Sequence, residues 1–336
     1  MPIRVAVLLP FLVFLPPAAG SDIRPHEFSL PRMGTTFRIV ICAADASAAS
    51  RAAMAAFERV EQLENIFSDY REESEAMLLC RDGCRQARRV SDELFFLLEN
   101  SIRFSSLSSG AFDVTIGPLT ELWRRAKEER RRPTEAELGL ARARVGYENI
   151  LLDVGERTVR LRRCDMRLDF GGIAKGYAAG EALSLIRARG FASALVAGGG
   201  DISMGAPPPG KPGWRISLSR ADGSPDPSRV LVLRDCAIST SGDAFQYIDA
   251  AGSRLSHIID PRQGSGTTMG EGATVIAGDG MTADALATVL SVMSVEEGMK
   301  VVGAFEGVSA ELVRRSPEGP KRWQSARFPK TDRMTG

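Results

Sequence analysis

Helical and strand-like patterns alternate along most of this 336-residue chain. Between Ala49 and Phe67, apolar residues recur at helical spacing and leave a polar opposite face, which predicts an amphipathic helix. A second helix is predicted from Ser91, a residue type that commonly caps helices, to Gly110. The runs 150–153 and 158–161 predict a hairpin. This alternation favours an α+β fold in one compact body and not a doubly wound parallel sheet.

The remaining elements follow the same patterns. A basic amphipathic stretch lies at 123–132, and further helices are predicted at 173–189, 282–293 and 295–305. Further strands are predicted at 167–170, 193–197, 214–219, 230–233, 254–259 and 273–276. The second half of the chain is therefore expected to be richer in strands than the first.

The composition argues against a disordered or fibrous protein, and the charge balance gives no support to nucleic-acid binding. Hydrophobic residues make up 44% of the chain and charged residues 25%, which is typical of a folded protein with a sizeable core. Lysine and arginine number 43 against 42 acidic residues, so the formal net charge is only +1. This balance gives no general attraction to nucleic acid, and any anionic ligand must be held by a local site.

The N-terminus has the pattern of a secretory signal peptide. Arg4 precedes an apolar run from Val5 to Leu15, and small residues occupy 18–20. The run is shorter than the ~20 apolar residues of a membrane span and is closed by two prolines. No cysteine follows it for lipid attachment. We therefore expect residues 1–20 to be a cleaved signal and the mature protein to be periplasmic or otherwise exported, and soluble.

Five cysteines leave the pairing open. Cys80 and Cys84 flank an Asp-Gly turn that can bring their side chains together, so either a disulfide or two free thiols fits there. A metal site is least favoured because no second Cys or His pair accompanies them. Cys42, Cys164 and Cys236 lie in apolar or strand-like surroundings and are predicted to be small buried hydrophobes.

A glycine turn between Asp169 and Tyr177 leads from a predicted strand into a helix. Glycines allow close backbone approach, the helix start supplies free N–H groups, and Lys175 adds a full positive charge, which together suit a pyrophosphate. The spacing matches neither the dinucleotide fingerprint nor the Walker loop. A tight turn with an exposed lysine is the alternative.

Two side chains near the C-terminal end suit a magnesium ion. Asp284 and Thr288 are four residues apart and project from one helix face, and Mg²⁺ prefers oxygen ligands. Alternatively, Asp284 favours the helix N-terminus and Thr288 bonds back to a preceding carbonyl.

His257 is the candidate for proton transfer near neutral pH. The only other histidine of the chain, His26, lies close to the predicted mature N-terminus. A structural role for a lone histidine on a strand is the alternative.

Taken in order, these segments resemble the ApbE family of flavin transferases. The matching blocks lie at 33–35, 67–70, 110–119, 169–177, 256–264 and 282–288. The resemblance implies a mixed body related to the T-fold, with a cleft between two lobes. It implies cleavage of FAD with Mg²⁺ and attachment of FMN, through its phosphate, to a Thr or Ser of exported or membrane redox proteins, with release of AMP.

The resemblance also implies roles for individual residues. Asp169 and Lys175 would lie near the nucleotide. The chemistry of the residues agrees, since His257, or a nearby carboxylate such as Asp243 or Asp260, can take the proton of the acceptor hydroxyl. The flavin contacts would come from Met33, Tyr70, Ala111, Phe112 and Asp113, the contacts beside the phosphates from His257 and Ile259, and the Mg²⁺ ligands from Asp284, Thr288 and the carbonyl of Gly172.

We place the flavin transferase domain at 33–315, after an N-terminal extension at 21–32 and before a polar C-terminal tail at 316–336. FAD and an acceptor flavoprotein subunit are the expected partners, and a membrane is reached only through the acceptor. A Mg²⁺-dependent FAD pyrophosphatase, which gives FMN and AMP, and a non-catalytic flavin-binding protein are the alternative functions.

Overall fold

The computed structural model describes residues 23–219, 225–242, 247–250, 253–256, 258–266, 272–314, 316 and 318–332. The predicted signal peptide lies outside the described residues, as does His257. The helices are α1 (Ala46–Phe67), α2 (Glu75–Asp82), α3 (Asp92–Leu107), α4 (Gly117–Glu128), α5 (Glu135–Arg142), α6 (Ala174–Ala188), α7 (Gly280–Val292) and α8 (Val295–Gly303), with a 3-10 turn at Tyr147–Asn149. The strands are β1 (Arg24–Arg32), β2 (Thr35–Ala43), β3 (Arg88–Arg89), β4 (Ile150–Asp153), β5 (Thr158–Leu161), β6 (Ala194–Gly198), β7 (Asp201–Met204), β8 (Trp214–Ser219), β9 (Pro225–Leu233), β10 (Cys236–Gly242), β11 (Tyr247–Ala250), β12 (Ser253–Ser256), β13 (Ile259–Asp260), β14 (Ser265–Gly266), β15 (Gly272–Ala277), β16 (Ser309–Arg314) and β17 (Lys321–Gln324).

An eight-stranded sheet in the order β1-β2-β6-β7-β10-β15-β16-β17 forms the centre of the fold. Each neighbouring pair in this sheet is antiparallel. The sheet with its surrounding helices confirms the predicted α+β class.

Alternating side chains of β2 separate the two layers that cover the sheet. Phe37, Ile39 and Ile41 belong to the larger apolar core, which they share with α1, α6 and α7. Val40 and Cys42 point to the opposite face, into a smaller cluster that includes the hairpin β8–β9. The sheet is thus covered by helices on one face and by a hairpin on the other, which buries both of its faces.

The predicted domain boundaries leave out two strands of this sheet. β1 comes from the predicted N-terminal extension, and β17 comes from the predicted polar tail. Both are edge strands, and their polar residues are tolerated because an edge strand can keep one side in solvent. The folded unit therefore extends beyond 33–315 in both directions.

Several local predictions are confirmed. Ser91 is the N-cap of α3, and its side chain accepts a hydrogen bond from the N–H of Leu94. The hairpin β4–β5 has the predicted bounds. The strand predicted at 167–170 is wrong: Arg167 makes a single parallel bridge with Ile116, and no ladder follows because the chain runs beside a loop there.

The cysteine pairing differs from the prediction. Cys84 forms a disulfide with Cys164, with a Cα–Cα distance of 4.9 Å, and not with Cys80. Cys84 lies beyond the end of α2, where the N–H of Leu161 donates to the carbonyl of Gly83 at 3.0 Å. This contact brings the segment after β5 beside Cys84, so the pairing depends on a contact between distant parts of the chain.

Three cysteines remain as thiols. Cys80 is buried, and its sulfur accepts the N–H of Leu168 at 3.2 Å. Cys42 is buried as predicted, and Cys236 is half-buried. The prediction that Cys164 is a buried hydrophobe is wrong, because its side chain forms the disulfide.

Among the helices of the described residues, none combines the length and apolar composition that crossing a bilayer requires.

Candidate active site

Helices α6 and α7 pack against each other at two glycines. A methyl group at Gly176 would overlap the carbonyl oxygen of Gly280, and one at Gly280 would overlap that of Gly176. Only glycine permits this approach without moving a helix. The approach lets Oδ2 of Asp284 accept the N–H of Gly176 at 3.0 Å, so an acid of α7 caps the first turn of α6.

Thr288 lies one turn further along α7, beside the glycine turn. A methyl group at Gly172 would come within 2.8 Å of the Thr288 hydroxyl oxygen. Among the described residues this hydroxyl has no hydrogen-bond partner, whereas the hydroxyl of Ser291 donates to the Ala287 carbonyl at 2.9 Å. Back-bonding to the helix is therefore not the role of Thr288, and its oxygen is available to a ligand.

Lys175 lies between two buried carboxylates. Its ammonium donates to the carbonyl of Gly171 at 2.6 Å and lies 3.6 Å from Oδ2 of Asp201 and 3.8 Å from Oδ2 of Asp284. The hydroxyl of Ser239 donates to the other oxygen of Asp201 at 2.6 Å. We call this region the glycine crossing, and it comprises Gly172, Lys175, Gly176, Asp201, Gly280, Asp284 and Thr288.

Negative charge exceeds positive charge in the glycine crossing. Burial, and then the neighbouring Asp201, raise the pKa of Asp284 to about 7, although Lys175 and the Gly176 N–H oppose the shift. Burial also raises the pKa of Asp201. Burial lowers the pKa of Lys175, but Asp284, Asp201 and Asp169 together outweigh it, so the pKa is raised. A single ammonium therefore compensates only part of the negative charge of these carboxylates. A divalent cation would compensate the rest.

A second polar group lies around an exposed tyrosine. The guanidinium carbon of Arg124 is 4.2 Å from the centroid of the Tyr70 ring, and 75% of Tyr70 is exposed. Arg124 also pairs with Asp69 and lies 3.5 Å from Oδ2 of Asp169. The carbonyl of Asp69 accepts from Arg167 at 2.7 Å. We call Asp69, Tyr70, Arg124 and Asp169 the aromatic rim.

Asp169 joins the aromatic rim to the glycine crossing. Its Oδ1 accepts the N–H of Gly171 at 2.8 Å, and the carbonyl of Gly171 in turn accepts from Lys175. The Asp169 N–H donates to the carbonyl of Val114 at 2.7 Å. The turn from Asp169 to Lys175 therefore links the aromatic surface of the rim to the ammonium and the oxygen ligands of the glycine crossing.

Comparison with known proteins identifies the family. The model of the ApbE family matches residues 33–312, most of the chain. The chain belongs to the ApbE family. It is 31% identical over 319 residues to the FAD:protein FMN transferase of Vibrio cholerae, covering 92% of this chain and 94% of that protein. It is 28% identical to the FAD:protein FMN transferase of Salmonella typhimurium, covering 88% and 86% of the two chains.

Solved structures of the ApbE family have the same fold. The flavin transferase ApbE from Vibrio cholerae superposes with a TM-score of 0.81 at 29% identity, covering 91% of this chain and 98% of that one. The ApbE protein from Thermotoga maritima superposes with a TM-score of 0.81 at 31% identity, covering 90% and 97%.

In this ApbE chain, the residues predicted as Mg²⁺ ligands come together. Asp284, Thr288 and Gly172 meet where α7 crosses the start of α6, and Lys175 is beside them. Within the described part of the chain there is no cluster of three or more His, Cys, Asp or Glu side chains suited to a metal. A site here would use one carboxylate, one hydroxyl and one backbone carbonyl, the mixed oxygen set that Mg²⁺ accepts when it keeps waters.

The predicted flavin contacts fall into two groups. Tyr70 is exposed, and Met33 is half-buried in the β1–β2 turn, where its φ is +49° and that of Gly34 is +70°. Positive φ at both positions is the pattern of a type I′ turn, which holds Met33 in a backbone conformation rare for its type.

The other predicted contacts are buried. The side chains of Ala111 and Phe112 lie in the main core, and that of Ile259 lies in the cluster of α4 and α5. Asp113 accepts the Thr115 N–H at 2.8 Å, and burial raises its pKa to about 6 despite that bond. A ligand that contacts these four residues would therefore meet mainly their backbone atoms.

The candidates for proton transfer are only partly described. His257 and Asp243 lie outside the described residues. Asp260 is buried and accepts two hydrogen bonds from the guanidinium of Arg262, each at 2.9 Å, as well as the Arg262 N–H. Both oxygens of the Asp260 carboxylate are thus engaged by Arg262 within the same turn.

Three side chains of the site were not among the predicted site residues. Asp201 follows the glycine run 198–200, and Asp69 adjoins Tyr70, so both had a nearby signal. Arg124 lies in a run of basic residues on α4, where nothing in the local sequence separates it from its neighbours.

Proposed function

We propose that this flavin-transferring enzyme of the ApbE family moves the FMN part of FAD onto a Thr or Ser hydroxyl of an acceptor protein. In this reaction, the acceptor oxygen forms a bond to the phosphorus of the FMN moiety. The bond from that phosphorus to the bridging oxygen breaks, AMP leaves with the bridging oxygen, and the acceptor hydroxyl loses its proton. The names of the relatives in Vibrio cholerae and Salmonella typhimurium support the flavin and the transfer.

The observation that carries the proposal is the glycine crossing. It brings the N-terminal turn of α6, the ammonium of Lys175 and the oxygens of Asp284 and Thr288 to one place. A helix N-terminus and a lysine attract phosphate oxygens, whereas carboxylate and hydroxyl oxygens attract a hard cation. Both requirements of a metal-assisted reaction on a pyrophosphate therefore meet at this crossing.

We assign the Mg²⁺ ligands to Asp284, Thr288 and the carbonyl of Gly172. When bound, Mg²⁺ supplies positive charge that polarises the phosphate oxygens. Lys175 binds the pyrophosphate beside this position, and Asp201 keeps its ammonium in place. These residues orient FAD and favour the negative charge that develops on the leaving AMP.

The remaining roles follow from the neighbouring groups. The aromatic rim binds the flavin end of FAD, since an exposed tyrosine offers a flat apolar surface. His257 takes the proton of the acceptor hydroxyl, which is work that an imidazole performs well near neutral pH.

We also propose that the protein is exported from the cytoplasm. The pattern of Arg4, the apolar run and the small residues at 18–20 supports a cleaved signal. The disulfide Cys84–Cys164 supports an oxidising compartment. The acceptor is then an exported or membrane flavoprotein subunit, and the enzyme meets the membrane only through it.

The test is to incubate the purified protein with FAD, Mg²⁺ and a Thr-containing acceptor domain, and to weigh the acceptor by mass spectrometry. We expect the mass of the acceptor to increase by one FMN and AMP to appear in equal amount. An acceptor with its threonine replaced by alanine is the control and should gain no mass. FMN and AMP without a modified acceptor would instead establish a pyrophosphatase, and intact bound FAD would establish a flavin-binding protein.

A further inference from the structure

Arg124 connects the exposed ring of Tyr70 to two carboxylates with little exposure of their own. The side chains of Asp69 and Asp169 are each 10% exposed, whereas 38% of the Arg124 side chain is exposed. The Arg124 guanidinium lies under the Tyr70 ring at 4.2 Å, a distance at which cation–π attraction is effective. One arginine therefore holds three neighbours at once.

We propose that Arg124 is a positioning residue that fixes the Tyr70 ring so that its outer face can receive the flat ring system of the flavin. The inference rests on the proposed function, because it takes the flavin as the ligand of the aromatic rim. An exposed tyrosine that lacked this contact would sample several rotamers and would lose that freedom when the flavin binds. With the ring already held, this cost is smaller and the flavin binds more tightly.

The contacts of Arg124 indicate that it acts through Tyr70. Nη1 donates to Asp69, and Nη2 faces Asp169, so both ends of the guanidinium are engaged. Its central carbon lies over the Tyr70 ring, 4.2 Å from the ring centroid. The carbonyl of Asp69 is itself held by Arg167, which makes the support of Arg124 rigid.

Lysine cannot reproduce this arrangement. An ammonium is a compact point charge, whereas a guanidinium is a flat fork that can bind carboxylates along its edge and stack on a ring with its face. Arg124→Lys therefore keeps the charge near Asp69 and Asp169 but loses the stack under Tyr70. This variant separates charge compensation from positioning.

The experiment measures flavin binding without the transfer step. The full chain and its variants Arg124→Gln, Arg124→Lys, Tyr70→Ala and the double variant Arg124→Gln/Tyr70→Ala are titrated into riboflavin and into FMN. Quenching of flavin fluorescence, which stacking on an aromatic ring produces, reports both affinity and geometry. The matched control is Arg125→Gln, because Arg125 is the exposed neighbour on the same helix and its side chain has no partner among the described residues.

We expect Arg124→Gln to weaken binding of riboflavin and FMN by a similar factor, roughly 5-fold, and to reduce the quenching at saturation. Arg124→Lys should weaken binding by roughly 3-fold, and Arg125→Gln should leave it unchanged. In the Tyr70→Ala background, Arg124→Gln should have little further effect, because two residues that act through one contact are not additive.

Three results would overturn the inference. They are unchanged flavin affinity in Arg124→Lys, unchanged affinity in Arg124→Gln, or losses that multiply in the double variant. If Arg124→Gln does not fold because the positive charge is lost, the flavin affinity of Arg124→Lys tests the inference. If the wild-type protein binds FMN but transfers none, the proposed function fails and this inference stands, whereas a wild-type protein that binds no flavin overturns both.

Discussion

The glycine crossing and the aromatic rim place their functional groups by different means. In the crossing, backbone packing at Gly176 and Gly280 decides where Asp284 and Lys175 lie. In the rim, the side chains of Arg124 and Tyr70 hold each other near the surface. A site built on backbone contact has no room for added volume, whereas a site built from long side chains can adjust. Mutations should therefore have large, all-or-none effects in the crossing and graded effects in the rim.

The largest effect is expected from Gly176→Ala. The added methyl group would overlap the Gly280 carbonyl, and no side-chain movement can relieve a clash with backbone, so α6 and α7 must separate. We expect a loss of ~3 kcal/mol or more in the free energy of unfolding, together with loss of transfer activity. Urea unfolding followed by circular dichroism measures the first quantity.

Gly180→Ala is the matched control for this prediction. Gly180 lies one turn further along α6, and a methyl group there would meet its nearest neighbours at 4.0 Å, which is ordinary contact. Because alanine favours helices more than glycine does, we expect no loss and a gain of up to about 1 kcal/mol. Equal destabilisation by the two variants would refute the account of the crossing.

The next effect concerns the charge of Asp284. Asp284→Asn keeps an oxygen that can accept the Gly176 N–H but removes the anionic ligand and relieves the repulsion with Asp201. We expect transfer activity to fall by about 100-fold or more, while the free energy of unfolding stays the same or rises. Single-turnover transfer and urea unfolding are measured on the same preparation.

Asp279→Ala should have the opposite effect to Asp284→Asn, because it should lower stability and leave activity unchanged. Asp279 is the exposed N-cap of α7 and accepts the N–H of Thr282 at 2.8 Å. Its loss should cost ~1 kcal/mol of stability and leave the transfer rate close to that of the wild type. Together, the two variants separate a ligand from a structural cap on one helix.

A smaller effect is the stabilisation of the protein by Mg²⁺, which should depend on pH. The ion binds the ionised form of Asp284, whose pKa is raised to about 7, so protons compete with it below that pH. At ten times the dissociation constant, Mg²⁺ should add about 1.4 kcal/mol to the free energy of unfolding. Thermal unfolding should show a larger shift with Mg²⁺ at pH 8 than at pH 6, and no shift in Asp284→Asn.

The metal-free protein should have the opposite dependence on pH. An unfolded chain releases the proton of an aspartate near pH 4, whereas folded Asp284 keeps it until about pH 7. Between these values the folded state binds more protons, so the contribution of Asp284 to stability falls as pH rises from about 4 to 7 and is constant above. Asp284→Asn should flatten part of this slope, and an unchanged slope would contradict the assignment.

The smallest effect is expected in the rim, from Tyr70→Phe. Within the described residues, the Tyr70 hydroxyl has no hydrogen-bond partner, and the ring contact with Arg124 is kept in phenylalanine. We expect flavin affinity within about 2-fold of the wild type, compared with a loss of roughly 10-fold in Tyr70→Ala. Fluorescence titration with FMN measures both variants. A large loss in Tyr70→Phe would show that the hydroxyl binds the flavin.

The parts of the fold that depend on local chemistry could be predicted from the sequence. The cap at Ser91 and the hairpin β4–β5 follow from residue type and spacing, and the structure has both. The pair Asp284 and Thr288 could be found in the same way, because residues four apart share a helix face. Local spacing therefore placed two of the seven residues of the glycine crossing on one helix face, and the family resemblance supplied their role as ligands.

The rest depended on contacts between distant segments. Nothing near Cys84 in the sequence indicates Cys164, because the contact of β5 with the turn after α2 brings them together. Arg124 and Asp201 reach the site from separate elements, and no local spacing connects either to Lys175 or Tyr70. The edge strands β1 and β17 were missed because polar edge strands have weak hydrophobic alternation.

The disulfide also matters for how the protein is made. Cys84 and Cys164 are separated by 80 positions, and the intervening chain includes α3, α4 and α5, so the bond cannot close until this whole region has emerged from the ribosome. Cys80, a thiol four residues before Cys84, is available as a wrong partner during that interval. Recombinant protein from a reducing cytosol would lack the native bond, so preparations for the experiments above should come from an oxidising compartment that contains a disulfide isomerase.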